Sequence, residues 1–152
     1  MPVTEKFLIR PATSADAAAL AELSGQLGYP ADVGAMHQRL AFVRSANAGE
    51  VFVAVDELTH IAGWTHVVPR LHLEESAFAE LAGLVVDARA RGSGVGKLLL
   101  HAAEQWATEH GFARLRVRSN VIRERAHRFY LREAYRERKR QVVFDKDLAD
   151  TP

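Results

Sequence analysis

The stretch Val86-Asp87-Ala88-Arg89-Ala90-Arg91-Gly92-Ser93-Gly94-Val95-Gly96-Lys97 constrains this chain more than any other. Before it runs Ala79-Glu80-Leu81-Ala82-Gly83-Leu84-Val85-Val86, a short apolar segment that reads as a buried strand. Behind it Val95, Leu99, Ala102, Ala103 and Trp106 recur at helical spacing until His110-Gly111 supplies a stop. The glycines therefore sit where a strand becomes a helix. A helix N-terminus leaves amide N–H groups unpaired and carries partial positive charge, which makes it an anion site. Glycine lets a phosphate approach such a backbone closely, and Arg89, Arg91 and Lys97 add formal charge. The segment reads as a phosphate cradle.

Spacing decides what kind. A P-loop needs Gly, four residues, then Gly-Lys-Ser/Thr. Here Arg91 occupies the first glycine position and Leu98 the position of the magnesium-binding hydroxyl. A dinucleotide fingerprint fails as well, because Lys97 stands where its third glycine belongs. The remaining match is Arg/Gln-x-x-Gly-x-Gly/Ala at a strand end, here Arg91-Gly92-Ser93-Gly94-Val95-Gly96.

The rest of the chain supplies the context. Lys6 to Arg10 reads as a first strand closed by Pro11, and Thr13 with Asp16 forms a capping box for a helix bearing Leu20, Leu23 and Leu27 on one face. Gly28-Tyr29-Pro30 ends that helix, and Asp32 caps a second with Val33, Met36, Leu40 and Val43 in step. Glu50 to Val55 and Ile61 to Val68 form a hairpin, with Pro69 expected to stop the second strand. Arg70 to Phe78 is a polar connection carrying Glu74 and Glu75. After the cradle helix, Ala113 to Arg118 alternates apolar residues with arginine, a strand with one covered face. Ser119-Asn120 leads into a helix expected to turn Ile122, Ala126 and Phe129 inward, and Tyr135 to Phe144 reads as strand again, single or divided in two. The order β-α-α-β-β-β-α-β-α-β predicts one mixed α/β sheet with helices on both faces, a single domain over residues 1–152.

Composition narrows the function. A formal net charge of +1 gives no global support to nucleic-acid binding, and the absence of cysteine excludes disulfides, thiolate catalysis and Cys-ligated zinc. No long apolar segment opens the chain, so a cytoplasmic protein with no membrane partner is expected.

The loop Arg91–Gly96 resembles the acyl-CoA pyrophosphate loop of the GNAT superfamily of N-acetyltransferases. A second stretch is similar to that family's next motif: Asn120 after the fifth strand, then Ala126-His127-Arg128-Phe129-Tyr130 on a helix. The resemblance implies a mostly antiparallel sheet splayed between strands four and five, with acetyl-CoA as co-substrate, no metal, and a primary amine as acceptor attacked directly. It implies main-chain contacts to the pantetheine arm from Leu84 and Val86, a pyrophosphate held by Arg91, Gly92, Ser93, Gly94, Val95, Gly96 and Lys97, and a cofactor or turn role for Asn120. Tyr130 is implied as the acid that protonates the departing thiolate. Glu80 matches a strand-four glutamate used as base in some members, and alternation would place it on one face with Ala82, Leu84 and Val86. His66 is a rival base, with an unperturbed pKa of about 6.5, and a chain of water molecules is a third route for the proton. Gln26, Tyr29, His37, Trp64, His66, Glu74 and Glu75 are candidates to line the acceptor side. One departure from the family pattern is Ala134 before Tyr135, where glycine is common. A left-handed cap would cost alanine about 1 kcal/mol, so a differently shaped helix end is expected. Two readings besides amine acetylation stay open: a non-catalytic CoA-binding or sensing domain, and transfer of a longer acyl group. The exposed-looking last strand suggests a homodimer.

Overall fold

Alternating β-branched residues in the N-terminal half build a sheet, and the glycines and capping residues cut it into elements. The structure, a computed structural model, describes residues 6–149. Residues up to Arg118 form one compact unit and those from Ser119 a second. The first unit holds β1 (Phe7–Pro11), α1 (Ala17–Leu27), α2 (Val33–Ser45), β2 (Glu50–Asp56), β3 (Ile61–Arg70), β4 (Phe78–Val86), α3 (Val95–Glu109) and β5 (Leu115–Val117). The sheet order is β1-β2-β3-β4-β5, antiparallel except for the parallel β4–β5 pair.

Strand alternation sorts the core into two layers. Val51 and Val53 turn to one face, where they meet Leu20 of α1 and Leu40 of α2, with Trp64 packed against them. Ala54 and Ala62 meet Val95 and Leu99 of α3 on the other, joined by Phe52, Leu84 and Val86. The caps are those expected. Asp16 accepts from the Thr13 amide at 2.7 Å, and Asp32 accepts from the Ala35 amide at 2.6 Å. Gly28 closes α1 at φ 100°.

Pro69 does not end β3, which continues through Pro69↔Ala79 to Arg70↔Phe78. The Ala79 amide points away from β3, to the Arg114 carbonyl at 3.0 Å. Pro69 and Ala79 thus form a pair that needs no N–H from either residue towards the other, so the missing proline donor breaks no ladder bond.

β4 carries the feature that positions the site. Its register with β3 shifts by one residue between His66↔Gly83 and Val67↔Leu81, leaving Ala82 as the extra residue of a bulge. Its pairing with β5 covers only Ala79, Glu80 and Leu81. From Ala82 onward the two strands are unpaired, which is the expected splay.

The second unit holds α4 (Glu124–Arg132). Ile122 precedes this helix and is exposed, so it does not belong to an inward stripe. Ala134 adopts φ 71°. The Tyr135 amide bonds the Tyr130 carbonyl at 2.9 Å, and the Ala134 amide bonds that of Leu131 at 3.2 Å. That is a Schellman closure with alanine in the glycine position, so the helix end keeps the usual shape despite the substitution. No strand forms between Tyr135 and Phe144, and Val142, Val143 and Phe144 are exposed. The residues have strand character, but a strand also needs a partner edge.

Candidate active site

Asp87 begins the cradle. Its buried carboxylate accepts from the Arg89 amide at 3.1 Å and from the Arg89 guanidinium at 3.0 Å, capping a 3-10 turn over Ala88–Ala90. The hydrogen bonds from Arg89, with its charge, hold the Asp87 carboxyl below the usual range against the opposing pull of burial. Arg89 is therefore already paired. Gln26 on α1 accepts from the Ala88 amide at 3.0 Å, so this lining candidate instead ties the loop to the helix layer.

Beyond the turn, Gly92 stands at φ 82° and Gly94, the N-cap of α3, at φ 93°. Both angles lie in the left-handed region that side chains disfavour. The Ser93 hydroxyl and amide both turn back to the Ala90 carbonyl. The first intrahelical bond is Leu98 to Gly94 at 3.1 Å. Among the described residues, the amides of Gly92, Gly94, Val95, Gly96 and Lys97 have no hydrogen-bond partner, and neither do the side chains of Arg91 and Lys97. Unpaired amides at a helix start, flanked by two cations, are suited to a diphosphate.

At the opposite end of β4 the chemistry differs. The bulge reverses the alternation expected from sequence. Leu84 and Val86 pack on the α3 side, whereas a Cβ on Gly83 would meet Trp64 on the α1–α2 side. Counting through the shifted register places Glu80 on the α1–α2 side as well, not on the face of Leu84 and Val86. There Glu80, only 5% exposed, takes Arg70 Nε at 3.0 Å and Nη2 at 2.8 Å on Oε2, and Arg118 Nε at 2.7 Å on Oε1. Burial pushes the Glu80 carboxyl up, but the hydrogen bonds and charges of Arg118 and Arg70 outweigh it and hold the group below the usual carboxylate range. Such a carboxylate, held ionised by two arginines, is a weak proton acceptor. Glu75 repeats the pattern, bonding Arg116 at 2.8 and 3.1 Å, and Arg116 in turn lies 3.9 Å over the Phe78 ring.

The other candidates are scattered. Trp64 is half-buried and packs against the core beneath α1 and α2, its buried Nε1 without a partner among the described residues. Tyr29 is exposed after α1. His37 lines a separate hollow of about 310 Å³ with Thr13, Ser14, Leu40, Ala41 and Arg44. His66 is half-buried on the α1–α2 side of β3, opposite Gly83, with Nε2 3.4 Å from the Ala48 carbonyl. Burial, aided by the charge of Arg70, lowers its pKa against the opposing effects of Ala48 and Glu50, so the ring is neutral near pH 7.

In the second unit, Asn120 Oδ1 accepts from the Ile122 amide at 3.1 Å, and its carbonyl accepts from the Arg123 amide at 3.0 Å. Its side chain thus shapes the turn into α4. Tyr130 lies edge-on to Tyr135, ring centroids 5.7 Å apart, and burial pushes its phenol up to about 12 against the opposing charge of Arg123.

Residues 18–134 match the model of the acetyltransferase (GNAT) family. The chain belongs to that family. As a GNAT protein it is 33% identical, over 92% of its length and 93% of the relative's, to an aminoglycoside N(6')-acetyltransferase type 1 of Stenotrophomonas maltophilia. It is 31% identical over 67% of its length to an aminoalkylphosphonate N-acetyltransferase of Salmonella typhimurium, of which the match spans only 58%. The GNAT fold also recurs in the solved aminoglycoside N-acetyltransferase AAC(6')-Iy in complex with CoA, at TM-score 0.84 and 19% identity, over 96% of this chain and 98% of that one. Among the described residues no helix is long and apolar enough to cross a membrane.

Sequence reasoning missed Arg70 and Arg118 as partners of Glu80. The one signal available was the alternation of arginine at 114, 116 and 118, which puts three guanidinium groups on one face of the fifth strand.

Proposed function

We propose that this chain transfers the acetyl group of acetyl-CoA to a primary amine by direct attack. The observation that carries the reading is the set of unpartnered amides at Gly92, Gly94, Val95, Gly96 and Lys97, beside a β4 whose edge from Ala82 to Val86 is not paired with β5. The amides and Arg91 would hold the pyrophosphate, and the open main chain around Leu84 and Val86 would take the pantetheine arm. The cofactor supplies the activated acetyl group. Relatives named for acetylating aminoglycosides and aminoalkylphosphonates support an amine acceptor.

The residues then divide the proton work. An alkylammonium of pKa about 10.4 must lose a proton before it attacks. Glu80, bound by two arginines, holds the strand ends together instead of accepting that proton. His66 is neutral, and if Nε2 donates to Ala48 its Nδ1 is left to accept, directly or through water. Tyr130 is the proposed donor to the leaving thiolate. Its phenol, pushed up to about 12, keeps its proton throughout the neutral range. Full transfer to a thiolate of pKa about 8.5 runs uphill by roughly 4–5 kcal/mol, so the phenol acts mainly by hydrogen-bonding the developing charge.

The test combines calorimetry of coenzyme A with thiol release from acetyl-CoA over a panel of amines. Saturable heat with release to at least one amine is expected. Binding without release to any amine would favour the sensing reading, and no heat would end both.

A further inference from the structure

The residues at the Glu80 end of β4 carry information about the acceptor that the cradle does not. Arg70 comes from the end of β3, Glu80 from β4 and Arg118 from just beyond β5. All three meet two residues before the bulge, on the α1–α2 side, where β4 and β5 begin to part. If the thioester lies along the unpaired stretch of β4, this is the adjoining surface on which an acceptor would rest.

Its charge is not that of a site for polycations. A carboxylate can collect an ammonium group only if it has charge to spare, and Glu80 already faces two guanidinium groups, so the trio bears a net positive charge. Glu75 alongside is likewise flanked by Arg114 and Arg116. Glu74, on the connection before β4, is a further carboxylate and is exposed. Glu80 is sunk at 6% side-chain exposure, whereas the Arg70 side chain is 45% exposed. Arg70 spends Nε and Nη2 on Glu80, and its Nη1 has no partner among the described residues. Guanidinium groups carry five N–H donors in a fixed fork, so one carboxylate does not exhaust them. The buried carboxylate thus holds an arginine in place with one donor edge turned outward.

We propose that the acceptor carries an anionic oxyacid group, carboxylate or phosphate, beside its amine, and that Arg70 anchors that group. The inference rests on the acetyl-transfer reading above. It assigns Arg70 to specificity, with Glu80 as the residue that positions it. Chemically, the substrate class is a small amino acid or amino-phosphate, and polyamines are disfavoured.

The test compares three acceptors that carry one primary amine on a two-carbon arm with a polyamine. Thiol release from acetyl-CoA is measured with ethanolamine, O-phosphoethanolamine, β-alanine and spermidine, using the full chain and its R70Q and R70K variants. The expected result is a kcat/KM at least about tenfold higher for one or both anionic acceptors than for ethanolamine, with spermidine lowest. The two anionic probes separate phosphate from carboxylate recognition. In R70Q the anionic acceptors should lose about 10- to 100-fold, mainly through KM, while ethanolamine changes little, and R70K should recover part of the loss. A preference for spermidine or ethanolamine would overturn the proposal, as would an equal loss for all acceptors in R70Q, the signature of a merely structural pin. Coenzyme A binding with no acetylation of any probe would overturn the anchor while leaving the cradle standing. Absence of coenzyme A binding would remove the acetyl-transfer reading itself.

Discussion

The two ends of β4 treat polar groups in opposite ways. At the Glu80 end a buried carboxylate accepts three hydrogen bonds from two arginines. At the Val86 end five amides and two basic side chains have no partner among the described residues. The saturated end is a clamp across β3, β4 and the residue after β5, and the unsaturated end is a row of open donors beside two cations. The difference teaches that a charged residue on a promising strand is not a reactive one until its partners are known, whereas amides left open by backbone geometry stay open.

The comparison breaks most decisively if chemistry and binding fail to separate. If the open end alone grips the cofactor, Tyr130→Phe should lower kcat by about 10²–10⁴ and leave coenzyme A affinity nearly unchanged. Steady-state kinetics beside calorimetry checks this. With the phenol at about 12, kcat should also show no alkaline limb from Tyr130 below roughly pH 11. An intact turnover in the variant, with chemistry rate-limiting, would take the acid role from Tyr130.

A smaller effect tests the open end directly. Gly94→Val forces a β-branched residue to φ 93° and puts a side chain among the amides. Coenzyme A affinity should fall about 100-fold by calorimetry, with the far-ultraviolet dichroism preserved. Unaltered affinity would mean that the anion site lies elsewhere.

At the saturated end the readout is stability. Glu80→Gln leaves two guanidinium groups facing each other without their carboxylate, and should cost about 2 kcal/mol in urea denaturation, discounted for their partial exposure. Coenzyme A affinity should hold. Because the folded-state pKa of Glu80 is depressed, its stabilisation is present above the unfolded value of about 4.3 and is lost as pH falls through the lower folded one. The wild type should therefore lose stability more steeply than the variant below about pH 4. Parallel acid profiles would show that the ion pairs contribute nothing.

The smallest effect is a control outside both ends. Ala134→Gly should raise stability by about 1 kcal/mol, because it relieves the left-handed alanine at φ 71°. Thermal denaturation should shift upward with kinetics unchanged, and a downward shift would refute the strain.

Much of this fold was legible in the residues. The capping box at Thr13 and Asp16, the Asp32 cap and the glycine stop at Gly28 are local devices, set by atoms within a few positions of one another. The same holds for the cradle, since the demand for left-handed angles at Gly92 and Gly94 is met by glycine alone at little cost. What misled was information held by partners. Pro69 looked like a terminator because its missing N–H matters only if a neighbour needs it, and the strand register decides that none does. Val142 to Phe144 looked like a strand because β-propensity describes fitness for a sheet and not the presence of an edge to join.

The amino-acid sequence by itself determined the shape of the cradle: a strand end, two glycines in left-handed turns and a helix start gather unpartnered amides within twelve consecutive residues. Only the tertiary structure decided what Glu80 is. A single extra residue at Ala82 moves that carboxylate to the opposite face, beside arginines 10 and 38 positions away in the chain. The physical reason is range. Backbone angles answer to neighbouring atoms, whereas a carboxylate's protonation answers to charges within a few ångströms in space, wherever in the chain they originate.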